Sequence, residues 1–506
     1  MKKTVLLIII LTLTLSVSYL PASGQYSGKT TNSKKFLPRP PTDTMTQQMV
    51  DNYIYFDVKT KLRQGARGEQ VGIDMHYITD SVYKFASVPF GVEISSSSPA
   101  NKVYKFIVNA HIAAEGADAV TKYVYYRRRP CSRFNENTYK LEPLSYFNKN
   151  DYYSYPSSHS KRGWALGSVL SIISHNRQDT LMERAYEYGQ SRVIGGAHWQ
   201  TDVDASRLLS AAGLACIFSD SVPRADLDLA KQQYNTLTGT PPAPSIDNIV
   251  DDVEGMKKIL RFMPGPPYGE NPITAYDASQ YSLYVNSRDN ERGRQALAES
   301  NPDWEVIFDS FSSYYGTTIS PFDTPELWNL LTAVNQLCIK GCDWLSTQHN
   351  RIRPCVYFHS PAGSLESPES LEVTSSYPSA HSAIGWASAL VLNAVNRTAA
   401  DSVYRCGYEF GQSRVVAGTN WQSDVDAGRL VACAAFVRLA SASDFVEKLS
   451  RAIAEDRRVR QQLVTEIDGI RPAAPAAQPL YTVDGRRATP ESHGVLVGKD
   501  KKILVP

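Results

Sequence analysis

The amino-acid sequence predicts an all-α protein with two homologous helical-bundle domains and a short β-like C-terminal appendage. The segment GQSRVIGGAHWQTDVD at 189–204 recurs as GQSRVVAGTNWQSDVD at 411–426, and residues 159–202 and 381–424 have the same length. Apolar residues spaced three and four apart, as in amphipathic helices, run through much of the chain. With 506 residues, the chain is also too long for one compact domain. These observations together indicate duplication of a whole domain rather than a short solenoid repeat.

Residues 1–24 are typical of a secretory signal peptide. Lys2 and Lys3 precede an apolar stretch at 5–19, and Ala-Ser-Gly at 22–24 supplies small residues for cleavage. The apolar stretch is shorter than the ~20 residues that a membrane span needs. We therefore expect a periplasmic or secreted protein with no membrane span after signal cleavage.

Composition suggests boundaries along the rest of the chain. Residues 25–41 are polar and Pro-containing, which predicts a poorly ordered lead-in. The first domain is predicted at 42–237, and the segment 238–263, which begins with the linker-like sequence TGTPPAP, separates it from the second domain at 264–468. Residues 469–506 are predicted to be a linker followed by a β-hairpin or sorting-like segment with a turn at Asp484-Gly485.

Local patterns place several helices within the two domains. Apolar spacing predicts helices within 100–129, 160–175 and 179–190. Another helix should begin at Pro325, because Asp323 or Thr324 can cap it and proline suits an early helical position. We therefore expect the motifs described below to lie on or beside helices.

Charge and cysteine content limit the possible partners. The chain has 53 Lys and Arg against 51 Asp and Glu, so no basic excess indicates a nucleic-acid partner. Its seven cysteines are an odd number, so at least one thiol is unpaired even if disulfides form. Cys338 and Cys342 lie four apart without a matching His pair, which favours buried or disulfide-bonded cysteines over a metal site.

Three motifs in the first repeat combine residues that suit anion chemistry. In the first motif, Lys122 and Arg129 lie seven positions apart, which on a helix brings both cations to nearly one face. Pro130 would then end or deflect that helix. Considered alone, this motif is better explained as a solvated basic face, because Arg127 and Arg128 lie between the two cations.

The second motif is Pro156-Ser157-Ser158-His159. Proline at a helix entrance leaves backbone N–H groups free, and such helix N-termini bind phosphate. The two serine hydroxyls add donors, and His159 adds a titratable proton. Considered alone, a helix cap with an incidental histidine is the simpler interpretation.

The third motif is Ser191-Arg192 followed by His198 and Asp202. If the last two lie on a helix, their spacing of four brings them together. Asp202 could then hold one ring nitrogen of His198 as N–H and leave the other bare and nucleophilic. A buried His–Asp pair with a purely structural role is the alternative.

In this order, the motifs resemble those of the phosphatidic acid phosphatase type 2 and vanadium haloperoxidase superfamily: K-x6-RP, PSGH and SR-x5-H-x3-D. The chain is most similar to the bacterial class A non-specific acid phosphatases, over roughly residues 40–220 and 265–445. The resemblance implies an all-helical fold, hydrolysis of small-molecule phosphate esters, and no metal or other cofactor.

The resemblance also implies a role for each motif residue. His198 would attack phosphorus and form a phosphohistidine, Asp202 would orient it, and His159 would protonate the leaving oxygen. Ser158 stands where the family has Gly, and it would be strained if the backbone there required a positive φ. The phosphoryl oxygens would be bound by Lys122, Arg129, Ser157, Ser158 and Arg192.

The second repeat departs from this pattern. Asn420 replaces the nucleophile, Ser346 stands where the motif requires lysine, and Ala380 replaces the family Gly. We therefore expect a degenerate, catalytically inactive site in a domain that packs on the first as an internal pseudo-dimer. Weak anion binding by its arginines remains open. The retained residues are Arg353, Ser379, His381, Arg414 and Asp424.

Three alternatives to an exported acid phosphatase stay open at this point. A vanadate-dependent haloperoxidase would use the same oxyanion site with vanadate as cofactor, whereas a phosphatase would be inhibited by vanadate. A lipid phosphate phosphatase would hydrolyse phosphorylated lipids, although the membrane members of the superfamily carry several spanning helices. A non-enzymatic binding module is the third alternative, and only Ser158 encourages it.

Overall fold

The computed structural model describes residues 31–75, 80–116, 121–141 and 152–470, together with Tyr26 and three short C-terminal strands. The predicted signal peptide at 1–24 and the predicted turn at Asp484-Gly485 lie outside these residues. The described residues up to Glu455 form one compact unit, and those from Asp456 onwards form another. The first unit thus contains the first repeat and the second repeat as far as Glu455, and the predicted domain limits stay predictions.

The first repeat is built from helices in its described part. They are α1 (Thr46–Leu62), α2 (Gly65–Ile73), α3 (Asp80–Phe90), α4 (Asn101–Gly116), α5 (Pro130–Phe134), α6 (Ser158–Ile173), α7 (Gln178–Ile194), α8 (Gln200–Ile217) and α9 (Ser221–Thr238). Short 3₁₀ turns lie at Ser33–Lys35, Thr121–Tyr123 and His175–Arg177.

Two short helices, α10 (Ile246–Asp251) and α11 (Val253–Ile259), occupy the predicted linker, because Ile249, Met256 and Ile259 supply side chains that become buried. The second repeat then follows the order of the first. Its helices are α12 (Pro272–Val285), α13 (Glu291–Ala298), α14 (Trp304–Tyr315), α15 (Pro325–Gln348), α16 (Pro354–Tyr357), α17 (Pro368–Val373), α18 (Ala380–Val395), α19 (Ala400–Ala417), α20 (Gln422–Ser441) and α21 (Phe445–Ile470).

Two predictions about the first repeat are wrong. The helix expected across 100–129 ends at Gly116, so Lys122 lies in a 3₁₀ turn while Arg129 is extended and caps α5. Pro130 disfavours helical backbone at the preceding residue, and Arg127 instead forms a bridge with Tyr153. The two cations therefore do not share a helix face. The prediction for Pro325 is confirmed, since Thr324 is the N-cap of α15 and Pro325 its first residue.

The expectation of a poorly ordered lead-in is also wrong for residues 31–41. Phe36 and Leu37 are buried in this stretch because they supply apolar surface to the core. Phe36 packs against Trp386 and Tyr404 of the second repeat, with ring centroids 6.3 and 5.2 Å apart. The lead-in therefore connects the two repeats.

The two repeats share one hydrophobic core and pack with a reciprocal arrangement of helices. Helix α6 of the first repeat contacts α20 of the second. In return α18, the counterpart of α6, contacts α8, the counterpart of α20. Helix α1 contacts its own counterpart, α12. Such reciprocity is the pattern of a two-fold symmetric dimer. Phe262 mirrors Phe36, because it packs against Trp164 and Tyr186 of the first repeat, with both centroid distances at 5.5 Å. The geometry is consistent with the expected internal pseudo-dimer.

The C-terminal residues that the structure describes form the predicted β appendage. Strands β1 (Tyr481–Thr482), β2 (Gly494–Val497) and β3 (Lys502–Val505) form an antiparallel sheet in the order β1-β2-β3. Tyr481 lies opposite Val497, and Gly494 lies opposite Val505.

Two further observations concern cysteines and membranes. All seven cysteines lie in described segments, and each has a buried, reduced thiol. Among the helices of the described segments, none combines the length and apolar character that crossing a membrane requires.

Candidate active site

Three segments of the first repeat meet at the site: the start of α6, the end of α7 and the turn that leads into α8. Ser157 caps α6, since its hydroxyl accepts a hydrogen bond from the Ser160 N–H at 3.3 Å. The Ser157 N–H donates in turn to Ser206 of α8 at 2.8 Å. Between α7 and α8 the chain reverses at Gly196, whose φ of +82° favours glycine. This reversal places His198 beside the N-terminus of α6.

The hydrogen bonds of His198 determine which of its nitrogens is nucleophilic. Arg129 Nη1 lies 2.8 Å from Nε2, and a guanidinium can only donate, so Nε2 is the bare acceptor. Nδ1 then carries the hydrogen and donates to the Ser154 carbonyl at 2.8 Å. Burial, followed by the charges of Arg129 and Lys122, holds the pKa of His198 well below its usual value. The ring is therefore neutral, with its lone pair directed at a cation.

Asp202 contacts His198, but its shorter bonds go elsewhere. Its Oδ2 lies 3.6 Å from His198 Nδ1, while it accepts hydrogen bonds from the Ser154 hydroxyl at 2.5 Å and the Trp199 N–H at 2.9 Å. His198 precedes α8 and Asp202 is its third residue, so the two residues do not share a helix face, although they lie in contact. Burial alone would raise the pKa of Asp202, but Arg127, His198 and Ser154 lower it below its usual range.

Arg127 is a component of the site that the sequence motifs did not identify. From the sequence, Arg127 was expected to lie on a solvated basic face. Its side chain is only 6% exposed, and it joins two buried carboxylates, Asp51 at 2.6 Å and Asp202 at 2.5 Å. The internal repeat contains the observation that could have identified Arg127. Arg351 has the matching place in the second repeat and joins Asp277 and Asp424 at 2.8 and 2.5 Å.

The structure brings together all three predicted phosphate-binding cations. Lys122 Nζ donates to the Pro156 carbonyl at 2.9 Å, which holds it at the entrance of α6. Arg129 also donates to the Ala197 carbonyl at 3.0 Å. Arg192 is 1% exposed, near the end of α7, and its charge lowers the pKa of His159. The cations therefore surround the two histidines.

His159 lies in the first turn of α6 and is half-buried. Its ring stacks on Tyr188 with a centroid distance of 6.5 Å, and Nε2 lies 3.3 Å from the Met75 carbonyl oxygen. Burial, followed by the charges of Arg192 and His198, keeps the pKa of His159 well below its usual value. Ser158, the first residue of α6, is not among the described residues with positive φ, so the conditional strain does not arise.

The second repeat preserves the framework of this site around different side chains. Asn420 Nδ2 donates to the Ser376 carbonyl at 2.6 Å, as His198 does to Ser154. Arg353 Nη1 donates to the Thr419 carbonyl at 3.0 Å, as Arg129 does to Ala197. Ser346, in contrast, lies half-buried on α15, where its hydroxyl donates to the Asp343 carbonyl at 2.7 Å, and it supplies no cation comparable with Lys122.

Other retained residues of the second repeat keep their positions. Ser379 caps α18, as Ser157 caps α6, and His381 stacks on Phe410 with a centroid distance of 6.2 Å. Burial raises the pKa of Asp424 to about 6 although Arg351 lowers it. The pKa of Asp202 is instead lowered, because His198 and Ser154 contact its carboxylate. Within the described segments, no group of three or more His, Cys, Asp or Glu side chains could hold a metal ion.

Comparison with known proteins gives matches in both repeats. The sequence profile of the PAP2 superfamily matches residues 104–225 and 327–446. The chain is similar to the non-specific acid phosphatase of Providencia stuartii, at 36% identity over 198 residues, which cover 38% of this chain and 78% of the relative. The non-specific acid phosphatase of Salmonella typhimurium is 35% identical over 41% of this chain and 83% of its own length. The acid phosphatase of Zymomonas mobilis is 29% identical over 41% and 79%, respectively.

Proposed function

Because the chain belongs to the PAP2 superfamily, we propose that it is an exported acid phosphatase that hydrolyses phosphate monoesters in its first repeat. The observation that supports this best is the orientation of His198. Its bare Nε2 faces Arg129, while Nδ1–H is held by a backbone carbonyl. A neutral imidazole fixed in this way is a nucleophile directed at the place where cations would hold a phosphoryl group.

Substrate binding replaces contacts within the protein by contacts to phosphate. Without substrate, Arg129 donates to the nucleophile itself. A phosphoryl oxygen would take over that donor, which frees the Nε2 lone pair and brings phosphorus close to it. Lys122, Arg192 and the N–H groups at the start of α6 would bind the remaining oxygens, as cations and helix N-termini do at phosphate sites.

The reaction then proceeds in two displacements. Nε2 of His198 forms a bond to phosphorus while the ester P–O bond breaks, and His159 gives its proton to the leaving alcohol oxygen. Water next attacks phosphorus, the N–P bond breaks, and His159 recovers a proton from that water. Nδ1–H keeps its bond to the Ser154 carbonyl throughout, and the carboxylate of Asp202 stabilises the positive charge on the phosphorylated ring.

The protonation of His159 depends on bound phosphate. In the free site, unneutralised cations and burial lower the pKa of this histidine. A phosphate anion held between Arg192 and His159 offsets the cationic charge and raises that pKa. His159 would therefore be protonated when substrate is bound, which suits a reaction that runs at acidic pH.

The second repeat would not catalyse this reaction. An amide at 420 cannot form a phosphohistidine, and Ser346 supplies no cation at the helix entrance. We infer that this repeat serves as a packing partner for the first. Export is inferred from the signal-like residues 1–24.

Turnover of phosphate monoesters by the purified mature protein, with and without chelator, tests the proposal. Acid-labile phosphate should be found on His198 after rapid quenching. His198→Asn should abolish turnover and the phosphoenzyme while phosphate still binds, because Asn420 shows that an amide can make the same carbonyl bond. Substantial turnover in this variant, or restoration of chelated enzyme only by a divalent metal, would overturn the mechanism.

A further inference from the structure

In the second repeat, a carboxylate of the same chain binds an arginine of the anion site. Glu366 forms an ion pair with Arg414, which matches the phosphate-binding Arg192 of the first repeat. We propose that the second repeat contains an oxyanion-binding site that Glu366 fills, and that the site binds phosphate-like anions once this carboxylate is removed. The proposal does not depend on catalysis by the first repeat.

Glu366 acts electrostatically on three of the titratable residues that remain of the site. Its charge acts on Arg414, His381 and Arg353, which are the counterparts of Arg192, His159 and Arg129. Burial raises the pKa of Glu366, but Arg414, His381 and Ser364 together lower it below the usual value. The carboxylate therefore stays ionised in weak acid, and moderate acidification does not empty the site.

The site retains hydrogen-bond donors that the carboxylate does not use. Arg414 is 1% exposed, and its Nη1 has no hydrogen-bond partner among the described residues. The ring of His381, in contrast, is directed at the backbone of Ser300. Buried donors without partners are costly, and a tetrahedral oxyanion offers four oxygens where a carboxylate offers two. A phosphate-sized anion could therefore bind groups that Glu366 leaves unused.

The loop that carries Glu366 is fixed on both sides. Ser364 donates its hydroxyl to the Glu366 carboxylate at 2.8 Å, and the Leu365 N–H donates to the hydroxyl of Ser300 at 2.9 Å. Immediately afterwards, Ser367 caps α17 by accepting from the Ser370 N–H at 3.2 Å. The carboxylate is thus held in position before any anion arrives, so free phosphate must compete with a group already in place.

Removing the charge of Glu366 would leave the site with a net positive charge from its arginines. Arg414 and Arg353 would remain as partly or fully buried cations without their carboxylate, which favours an external anion. Asn420 prevents covalent attack, so the opened site would bind an oxyanion without turning it over. Inorganic phosphate is the appropriate probe, because it needs no catalysis to report occupancy.

Isothermal titration of the full mature chain with inorganic phosphate measures the number of sites. Glu366→Gln is expected to bind one phosphate more than the wild type. Glu369→Gln is the matched control, since Glu369 is exposed on α17, which directly follows Glu366, and its change removes the same charge. The double variant Glu366→Gln with Arg414→Gln should return to the wild-type number.

The increase by one site is the decisive quantity, whatever the first repeat binds. An unchanged number of sites in folded Glu366→Gln would overturn the proposal, as would a wild-type second repeat that already binds phosphate. If Glu366→Gln does not fold, Glu366→Asp withdraws the carboxylate by one methylene group and should give an additional, weaker site. Failure of the phosphatase mechanism would appear separately, as absence of turnover in the wild type.

Discussion

At the scale of single residues, the proposed reaction depends on two histidines that are influenced by different cations, His198 by Arg129 and Lys122 and His159 by Arg192. His198 is held neutral, with a fixed tautomer, by one arginine and one carbonyl group. His159 stacks its ring on Tyr188, and burial together with the charge of Arg192 lowers its pKa. The first histidine is therefore prepared as a nucleophile, while the second depends on bound phosphate to hold its proton.

The acid role of His159 predicts a dependence on the leaving group. In His159→Ala, esters of simple alcohols should lose about 10²–10⁴-fold in turnover, the usual contribution of a general acid. An aryl ester with a good leaving group needs less protonation and should lose much less. Steady-state rates over a series of esters measure the difference. An equal loss for every ester would mean that His159 only positions the substrate.

The lowered pKa of His198 predicts how stability depends on pH without ligand. Between its folded-state pKa and the ordinary value of 6.5, the unfolded chain binds one proton more than the folded chain. Its contribution is therefore fully present above about pH 6.5 and is lost as the pH falls toward the folded-state pKa. One proton corresponds to about 1.4 kcal/mol per pH unit.

His198→Asn should lower the slope of unfolding free energy against pH by up to about 1.4 kcal/mol per pH unit between pH 6 and 5. Chemical denaturation at several pH values measures it. Above pH 7.5, where the histidine is neutral in both states, wild type and variant should have the same slope. An unchanged slope below pH 6 would contradict the burial of a neutral imidazole.

At the scale of helices and turns, Arg127 connects elements that the sequence motifs treat separately. It joins Asp51 of α1 to Asp202 at the start of α8 and so supports the turn that carries His198. Arg351 makes the same connection between α12 and α20. The duplication therefore supplies a matched pair of substitutions with the same structural cost.

Arg127→Met and Arg351→Met should each destabilise the protein by about 3–5 kcal/mol, because each leaves buried carboxylates without their partner. Only Arg127→Met should also lower kcat in the folded protein, since Asp202 contacts the nucleophile and Asp424 contacts no catalytic group. Turnover measured well below the unfolding temperature of both variants separates the effects. Equal kcat losses would mean that Arg127 acts on stability alone.

The sequence allowed prediction of the helical fold and of several side chains that the structure brings together in the first repeat, but not of all their local geometry. The repeat and the helix cap at Thr324 could be predicted because they depend on residue types at short spacings. The positions of Lys122 and Arg129 were not, because a bridge between Arg127 and Tyr153 replaces the expected helix. Glu366 was equally unpredictable, since its partner Arg414 is distant in sequence and the contact depends on the fold.

At the scale of the whole molecule, the segment that precedes each repeat supplies a phenylalanine that packs on the other repeat. Phe36 packs on Trp386 and Tyr404, and Phe262 packs on Trp164 and Tyr186. The exchange links the two repeats beyond the contacts of their helices. Under the proposed function, the inactive second repeat would still contribute packing to the first.

This exchange predicts that the two repeats unfold together. Phe36→Ala and Phe262→Ala should each cost about 3–5 kcal/mol, the usual range for truncation of a buried phenylalanine. Each should give one cooperative transition at lower temperature, and hydrogen exchange should show amide protection falling in both repeats. Phe322→Ala is the control, because that side chain is 87% exposed and should leave stability within about 0.5 kcal/mol. Two separate transitions, or loss of protection confined to one repeat, would mean that the repeats are independent folding units.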